Sequence, residues 1–325
     1  MVSFFREKSP TGFFLIVLLS ITLHARLLFE PPAVVVHPTN GFIHVLFEPL
    51  ASLHFLLLVA IYHLLVLVTA FRLNHVLDDL KMFPKQTLIP AMCYVLFSAL
   101  YVSWSNLIPA LLINLLLVWI FFILAKTYHA QKTRGAVFNA GLITGSVVML
   151  YYPAVAIVAI AIMSLAIIRP FKLQEWFIMA LGILTPFYFL GITLFLQDEF
   201  ANFNQYLPHL EWQIIQKTSS QAMLVNLLWM LILLIMGVFY WQANTGRILM
   251  QARKYWNVLL VMLLFLIPMP MLLEKSGIES AMVLIVPLSA LVSNVFVQPR
   301  QSLVPGFVFW IFIIIVVLNH WVLRS

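Results

Sequence analysis

Eleven apolar runs, separated by short segments that carry almost all of the charge, divide this chain from one end to the other. A helix that crosses the hydrocarbon core of a bilayer needs about 20 apolar residues. Hydrophobic residues make up 63% of the 325 residues and charged residues 9%, whereas soluble domains carry about 25% charged residues. The sequence therefore predicts an all-α transmembrane protein with a single domain over residues 1–325. The predicted spans are 12–29, 50–71, 88–105, 107–125, 137–151, 153–168, 175–196, 222–243, 256–273, 280–297 and 304–322.

The basic residues alternate between the segments that join these runs. If the N-terminus lies in the cytoplasm, fourteen of the 18 Lys and Arg residues are cytoplasmic, and Arg26, Lys217, Lys275 and Arg324 are outside. Cytoplasmic loops carry such an excess of Lys and Arg. The pattern predicts a multi-pass membrane protein with a cytoplasmic N-terminus and an extracytoplasmic C-terminus. The positive charge then faces the lipid bilayer and its anionic head groups, so that no nucleic acid is needed to explain it.

Several classes of chemistry are disfavoured by what the runs lack. No run has Asp, Glu, Lys or Arg at its centre, and there is no GxxxxGK[ST] or GxGxxG motif. Ion-coupled transport and nucleotide chemistry are therefore poor interpretations. The single cysteine, Cys93, excludes an intrachain disulfide and a cysteine-based metal site. His54 and His63 face opposite sides of the second predicted helix, so we expect hydrogen bonds to other helices and not one shared site.

The two short runs between residues 137 and 168 predict a helical hairpin that turns at Tyr151-Tyr152-Pro153. Each arm is about 23 Å long, against about 30 Å of hydrocarbon. Gly141 and Gly145 give one arm a small-residue face that permits close helix contact. A tip that ends below the membrane surface is tolerated if it is buried in protein or lines a wet cavity. We therefore expect a cavity between this tip and the preceding extracytoplasmic loop, residues 30–49.

The loop 30–49 holds polar residues at helical spacing and contains no Lys or Arg. A short helix that starts near Pro38 would place His37, Asn40, His44 and Glu48 on one face. His44 and Glu48, one turn apart, could bind a divalent cation or orient one imidazole. The same face could instead contact a substrate or simply face water. The second outer loop, residues 197–221, is predicted to be an amphipathic segment at the membrane interface.

Glu30 ends the first predicted span and is followed by Pro31 and Pro32, which require an extended backbone. A carboxylate held at the edge of the hydrocarbon could act as a general base on a hydroxyl group. Arg26, one turn earlier, could pair with Glu30 or with a lipid phosphate. On the cytoplasmic side, residues 72–85 are predicted to form a solvated connector or a short interfacial helix that stops before Pro84.

Two patterns resemble known families. The order of an N-terminal span, an acid at its outer end, a long outer loop and a hairpin of the form G-x3-G…YYP…RP resembles the type C glycosyltransferase superfold, whose members use polyprenyl-phosphate-linked sugars. The segments AFRLNHVLDDL, IIRPFKLQEW and ESAMVLIVPLSALVSN resemble an uncharacterised polytopic integral-membrane family of Bacteroidota. The second resemblance covers most of the chain. It implies a multi-pass protein of the bacterial inner membrane and no particular activity.

The first resemblance implies an inverting transfer of a sugar from a polyprenyl-phosphate lipid to an envelope acceptor. Glu30, or as second choice Glu48, would be the catalytic base. Arg26, Lys217 or Lys275 would stabilise the leaving phosphate, and Asn106, Tyr151, Tyr152 and Glu279 would line the sugar pocket. The alternatives are a non-catalytic membrane subunit with the same fold, bound to a lipid or to an envelope-assembly protein, and a transporter.

Overall fold

The chain is all-α wherever its structure is described. The computed structural model describes residues 2–37, 41–208, 221–247, 249–271, 277–298 and 303–323. These residues include no β-strand, although one isolated parallel bridge joins Val34 to Leu107. In chain order the α-helices are α1 (Pro10–Leu23), α2 (Ile43–Phe47), α3 (Phe55–Asp79), α4 (Ile89–Ser98), α5 (Pro109–Lys126), α6 (Arg134–Leu150), α7 (Ala156–Ile168), α8 (Leu173–Leu196), α9 (Gln221–Asn244), α10 (Met250–Leu266), α11 (Gly277–Ser280), α12 (Ile285–Val297) and α13 (Leu303–Val317).

Seven helical segments in the described part of the chain are long and apolar enough to cross a bilayer. They are Phe55–Asp79, Pro109–Lys126, Leu173–Leu196, Ala222–Asn244, Met250–Met271, Ile278–Val297 and Leu303–Trp321. Shorter apolar helices, Pro10–Leu23, Ile89–Ser98, Arg134–Leu150 and Tyr152–Ile168, lie in the four remaining predicted spans. The prediction of an all-α membrane protein is confirmed, while eleven crossings and their orientation stay predictions.

The second predicted span, 50–71, is wrong at both ends. Residues Glu48–Ser52 form a 3-10 turn, and α3 begins only at Phe55. Nδ1 of His54 accepts a hydrogen bond from the Leu56 N–H at 3.4 Å. His54 therefore caps the helix and does not lie inside it, which corrects its predicted place within the span.

At its other end α3 runs on into the segment predicted as a connector or a separate interfacial helix, residues 72–85. The helix continues to Asp79. Leu73, Val76 and Leu77 are fully buried there, so packing against neighbouring helices stabilises the extra turns. The interfacial segment is thus mostly the last part of one long helix.

The hairpin helices α6 and α7 are joined by Tyr151, whose backbone is extended, and by a 3-10 turn over Tyr152–Val155. As the glycine spacing predicted, α6 makes a very close helix contact, and its partner is α8. A Cβ atom on Gly141 would lie 2.5 Å from the carbonyl oxygen of Met179. Gly182 of α8 packs back in the same way on the Phe138 carbonyl. Only residues without a side chain allow the two backbones this approach.

Contacts between distant segments define two ends of the bundle. At the end we call the basic end, Lys8 forms an ion pair with Asp78 at 3.4 Å and Lys254 donates to the Ile168 carbonyl at 3.3 Å. The opposite end holds Glu30, which pairs with Arg26, and we call it the acidic end. There, Arg26 donates to the His320 carbonyl at 2.9 Å. Segments predicted to share a side of the membrane thus meet at the same end.

Candidate functional site

A break in the helix of the third predicted span organises the interior near the acidic end. Helix α4 stops at Ser98, and a 3-10 turn over Val102–Ser105 follows before α5 starts at Pro109. The unwound backbone leaves carbonyl groups without helical partners. Within a membrane protein such groups must find other donors. In the described residues, those donors come from three other helical elements.

Two side chains of the last helical segment supply part of this set. Leu318–Leu323 forms a π-helical turn at the end of α13. Asn319 donates from Nδ2 to the Leu100 carbonyl at 2.8 Å, and Nε2 of His320 lies 2.9 Å from the Ala99 carbonyl. Asn319 also donates to Oδ1 of Asn226 in α9 at 2.8 Å. All three side chains are buried, so α9 and α13 are both fastened to the break.

A tyrosine lies beside the same break and contacts a buried histidine. His24 is fully buried, and its Nδ1 lies 2.9 Å from the Ser20 carbonyl. Because a carbonyl only accepts, Nδ1 carries the proton. Nε2 of His24 lies 2.9 Å from the Tyr62 hydroxyl, which is 3.1 Å from the Trp104 carbonyl. His63 Nδ1 lies 3.0 Å from the Ser20 hydroxyl, in agreement with the predicted hydrogen bond between helices.

Arg26 and Glu30, which were predicted as a possible pair, form an ion pair with two hydrogen bonds at the surface of the acidic end. Nε and Nη2 of Arg26 donate to Oε2 of Glu30 at 2.8 and 2.5 Å, and Nη1 donates to the His320 carbonyl at 2.9 Å. The Glu30 side chain is 63% exposed and that of Arg26 18%. The guanidinium therefore already donates hydrogen bonds to protein groups, and the Glu30 carboxylate is already paired with a cation.

The first outer loop lies directly on neighbouring structure. Val35 N–H donates to the Leu107 carbonyl at 3.1 Å, and Ala33 N–H donates to Oδ1 of Asn106 at 3.1 Å. Farther along, the Phe42 N–H donates to the Met149 carbonyl at 3.2 Å. These bonds connect the loop both to the start of α5 and to the tip of the hairpin.

Aromatic side chains occupy the contact between the loop and the hairpin tip. The ring of Phe42 stacks on that of Tyr206 with centroids 5.3 Å apart. The Tyr152 hydroxyl donates to the Tyr206 carbonyl at 3.0 Å. Gly41, with φ of 114°, lies so close to α6 that a Cβ atom would be 2.5 Å from the Leu150 carbonyl oxygen. The loop and the tip are therefore in direct contact at these residues.

The predicted helix through His37, His44 and Glu48 is wrong in extent. Helix α2 covers only Ile43–Phe47, and Glu48 begins a 3-10 turn that contains Pro49. Nδ1 of His44 donates to the Gly41 carbonyl at 2.8 Å. His37 precedes the helix in irregular backbone, and Glu48 is exposed. The expected polar face is therefore not continuous from His37 to Glu48.

The remaining predicted site residues divide into two groups. Tyr151 is buried, and Glu279 at the start of the Ile278–Val297 segment is near enough for the two to interact electrostatically. Asn106 and Tyr152 have the backbone partners given above. Asn40, Lys217 and Lys275 lie outside the described residues. No group of three or more His, Cys, Asp or Glu side chains within the described ranges is arranged to hold a metal ion.

The side chains at the helix break were missed by the sequence analysis. Each is a lone polar residue in or beside an apolar run, and that is the signal that could have marked them, because polar groups inside a membrane need partners. Their position around the helix break could not be predicted from the sequence, because the break after Ser98 lies in an apolar run that contains no Gly. They are His24, Tyr62, Asn226, Asn319 and His320.

The fold and this network of polar groups define a polytopic all-α membrane protein with a rigidly bonded acidic end. Comparisons of the chain with models of protein families, with curated proteins and with solved structures found no match.

Proposed function

We propose that this chain is a non-catalytic integral membrane subunit that binds an envelope partner through its acidic end. The observation that carries the proposal is the direct packing of the loop 41–47 on the hairpin tip. The Phe42 ring stacks on that of Tyr206, and the Tyr152 hydroxyl donates to the Tyr206 carbonyl, between the loop and the tip where the sequence predicted a cavity. An active site needs a concave pocket with convergent polar groups, and these aromatic contacts favour a scaffold.

The pairing of Glu30 supports the same proposal. A general base must present a lone pair to the proton that it removes. Arg26 already directs two N–H groups at Oε2 of Glu30, so the lone pairs of that oxygen face a cation. Glu48, the second predicted base, is exposed at the start of a 3-10 turn. Among the described residues, neither carboxylate forms an ion pair with a predicted substrate-binding residue other than Arg26.

The partner would meet the outer face of α2, where Val45 and Leu46 are 58% and 53% exposed. Ile43 and Phe47 of the same helix are buried, so α2 is anchored on one side and presents apolar groups on the other. Glu48 beside them supplies a polar rim, which a glutamine at this position would keep. An apolar centre with a polar rim is the usual composition of a protein interface.

The glycosyltransferase remains the second candidate function, and the electrostatic proximity of one pair of residues favours it. Glu279 is a partly buried carboxylate that interacts with the buried Tyr151. Both were predicted to line a sugar pocket. In this alternative, Glu30 or Glu48 removes a proton from an acceptor hydroxyl, whose oxygen bonds to the anomeric carbon of a polyprenyl-phosphate sugar as the phosphate leaves.

The two functions are separated by complementation of a deletion strain, with membrane levels measured for every variant. The scaffold predicts that Glu30→Gln and Glu48→Gln restore the wild-type phenotype in proportion to their abundance. Glu30→Asp is the matched control, because it keeps a carboxylate at the same position. Full abundance with no complementation by Glu30→Gln, together with complementation by Glu30→Asp, would refute the scaffold and support catalysis.

The docking surface is tested by the double variant Val45→Ser/Leu46→Ser. We expect normal abundance and loss of complementation. The control is Leu227→Ser/Leu228→Ser in α9, where both leucines are 55% exposed on an apolar helix. If the α2 variant complements as well as the α9 variant does, the outer face of α2 is not the partner surface.

A further inference from the structure

A pocket at the basic end is lined by three segments of the chain, two of which supply cationic side chains. It has a volume of about 510 Å³ and lies between the end of α5, the turn from α7 to α8 and the start of α10. Known ligand pockets are about 300–1,000 Å³. Its polar and charged lining includes Tyr128, His129, Gln131, Arg169, Lys172 and Lys254. Among the residues that the structure describes, no Asp or Glu lines it.

The pocket has a surplus of positive charge. Arg169 is balanced, because its Nε donates to Glu175 at 2.8 Å. The amine of Lys254 donates a hydrogen bond to the Ile168 carbonyl at 3.3 Å and lies 5.2 Å from the centroid of the Tyr128 ring. Lys172 is exposed. Within the described residues neither lysine forms an ion pair with a carboxylate, so both charges are available to an anion.

The backbone around the pocket is held firmly in place. Arg169 is only 8% exposed, and its Nη1 donates to the carbonyls of Thr127 and Ala130. His129 between them adopts a φ of 56°, a conformation that non-glycine residues seldom adopt. The turn that follows α5 is therefore fastened to the turn before α8, and the pocket between them is preorganised.

Apolar side chains adjoin the cations. Phe171 and Leu173, on either side of Lys172, are 71% and 61% exposed, and Phe177 one turn farther along α8 is 62% exposed. An acyl chain would find apolar contact along this row, with its phosphate at the lysines. Basic pockets between membrane helices bind lipid head groups in this way. A soluble phosphate compound would gain nothing from the exposed Phe and Leu side chains.

We propose that this pocket binds the phosphate head group of an anionic membrane lipid, with Lys172 and Lys254 as its charge contacts. The ligand chemistry is that of a phosphate ester, and the apolar row on α8 assigns it to a lipid. This inference is independent of the partner surface at the acidic end, because the two sites lie at opposite ends of the bundle.

The test measures lipid binding to the purified full-length protein in detergent by native mass spectrometry. The probes are phosphatidylglycerol, zwitterionic phosphatidylcholine and, in a separate arm, inorganic pyrophosphate. We expect phosphatidylglycerol to bind in preference to phosphatidylcholine. Lys172→Gln and Lys254→Gln should each weaken that binding about five-fold, because each removes one basic contact to the head group. Lys172→Arg, which keeps the charge, should bind as the wild type does.

The matched control is the double variant Lys81→Gln/Lys85→Gln, which removes two exposed lysines elsewhere at the basic end. It should leave phosphatidylglycerol binding within two-fold of wild type. An equal loss in the control would show general attraction to the basic end and overturn the site. Binding of pyrophosphate that depends on Lys172 and Lys254, without a preference for the anionic lipid, would overturn the assignment to a lipid. Lys172 is exposed, so its variants should fold and keep the test decisive.

Discussion

Nε of Arg169 donates to Oε2 of Glu175 at 2.8 Å, and both side chains are 7% exposed. The Thr133 hydroxyl donates to the other carboxylate oxygen of Glu175 at 2.9 Å. Arg169 also donates to the carbonyls of Thr127 and Ala130. One buried ion pair thus connects the segment between α5 and α6 to the turn that begins α8.

Removal of the Glu175 charge is expected to destabilise the protein. Glu175→Gln leaves the buried guanidinium of Arg169 without its counter-ion, and breaking a buried pair costs about 3–5 kcal/mol. Thermal unfolding of the purified protein in detergent measures the effect. Lys126→Gln is the control, because Lys126 pairs with Asp79 at 3.7 Å where their side chains are 53% and 36% exposed. Its effect should stay below about 1 kcal/mol. Equal effects of the two variants would contradict the assigned role of the buried pair.

Helix α6 offers a matched pair of glycine substitutions. Gly141→Ala would place a Cβ atom against the Met179 carbonyl, so α6 and α8 must separate, at a cost of about 1–3 kcal/mol. Nothing lies within 4 Å of the corresponding position at Gly135, in the first turn of the same helix. Gly135→Ala should therefore stabilise the helix by about 0.5–1 kcal/mol. Thermal unfolding measures the stability of both variants. A change of the same sign in both would argue against the close contact between α6 and α8.

The contribution of the Tyr62 hydroxyl to the helix break after α4 can be tested by removing it. Tyr62→Phe removes the hydroxyl that lies 2.9 Å from Nε2 of His24 and 3.1 Å from the Trp104 carbonyl. Buried polar groups that lose a partner cost about 1–3 kcal/mol. The control is Tyr188→Phe, since the Tyr188 side chain is 65% exposed, and its effect should be within about 0.5 kcal/mol of zero. A neutral Tyr62→Phe would mean that the hydroxyl does not support the break.

The predicted orientation is tested by cysteine labelling with a membrane-impermeant maleimide. Cys93, the single native cysteine, is buried, so it should give little background. Glu48→Cys at the acidic end should react in intact cells. Lys85→Cys at the basic end should react only after the cells are broken, and both positions are exposed. The reverse pattern would invert the topology and with it the assignment of each end.

Several features were correctly predicted because they depend on neighbours in the sequence. The apolar runs identify the membrane helices, since burial in lipid requires long stretches without charge. The spacing of Gly141 and Gly145 identified a face for close contact, and His63 was expected to bond between helices. Local boundaries were predicted less well. His54 caps α3 and does not lie inside it as predicted, and α2 is shorter than the predicted polar helix.

What the chain alone determined is the class of protein, because hydropathy and charge act residue by residue. The tertiary structure alone decided where α4 breaks and which groups compensate for it. Asn226, Asn319 and His320 are far from Leu100 and Ala99 in sequence, yet they reach those carbonyls once the helices pack. The same holds for Tyr206, whose contact with Phe42 covers the hairpin tip. Hydrogen bonds and ring contacts depend on distances of a few ångströms, and only the folded chain sets those distances.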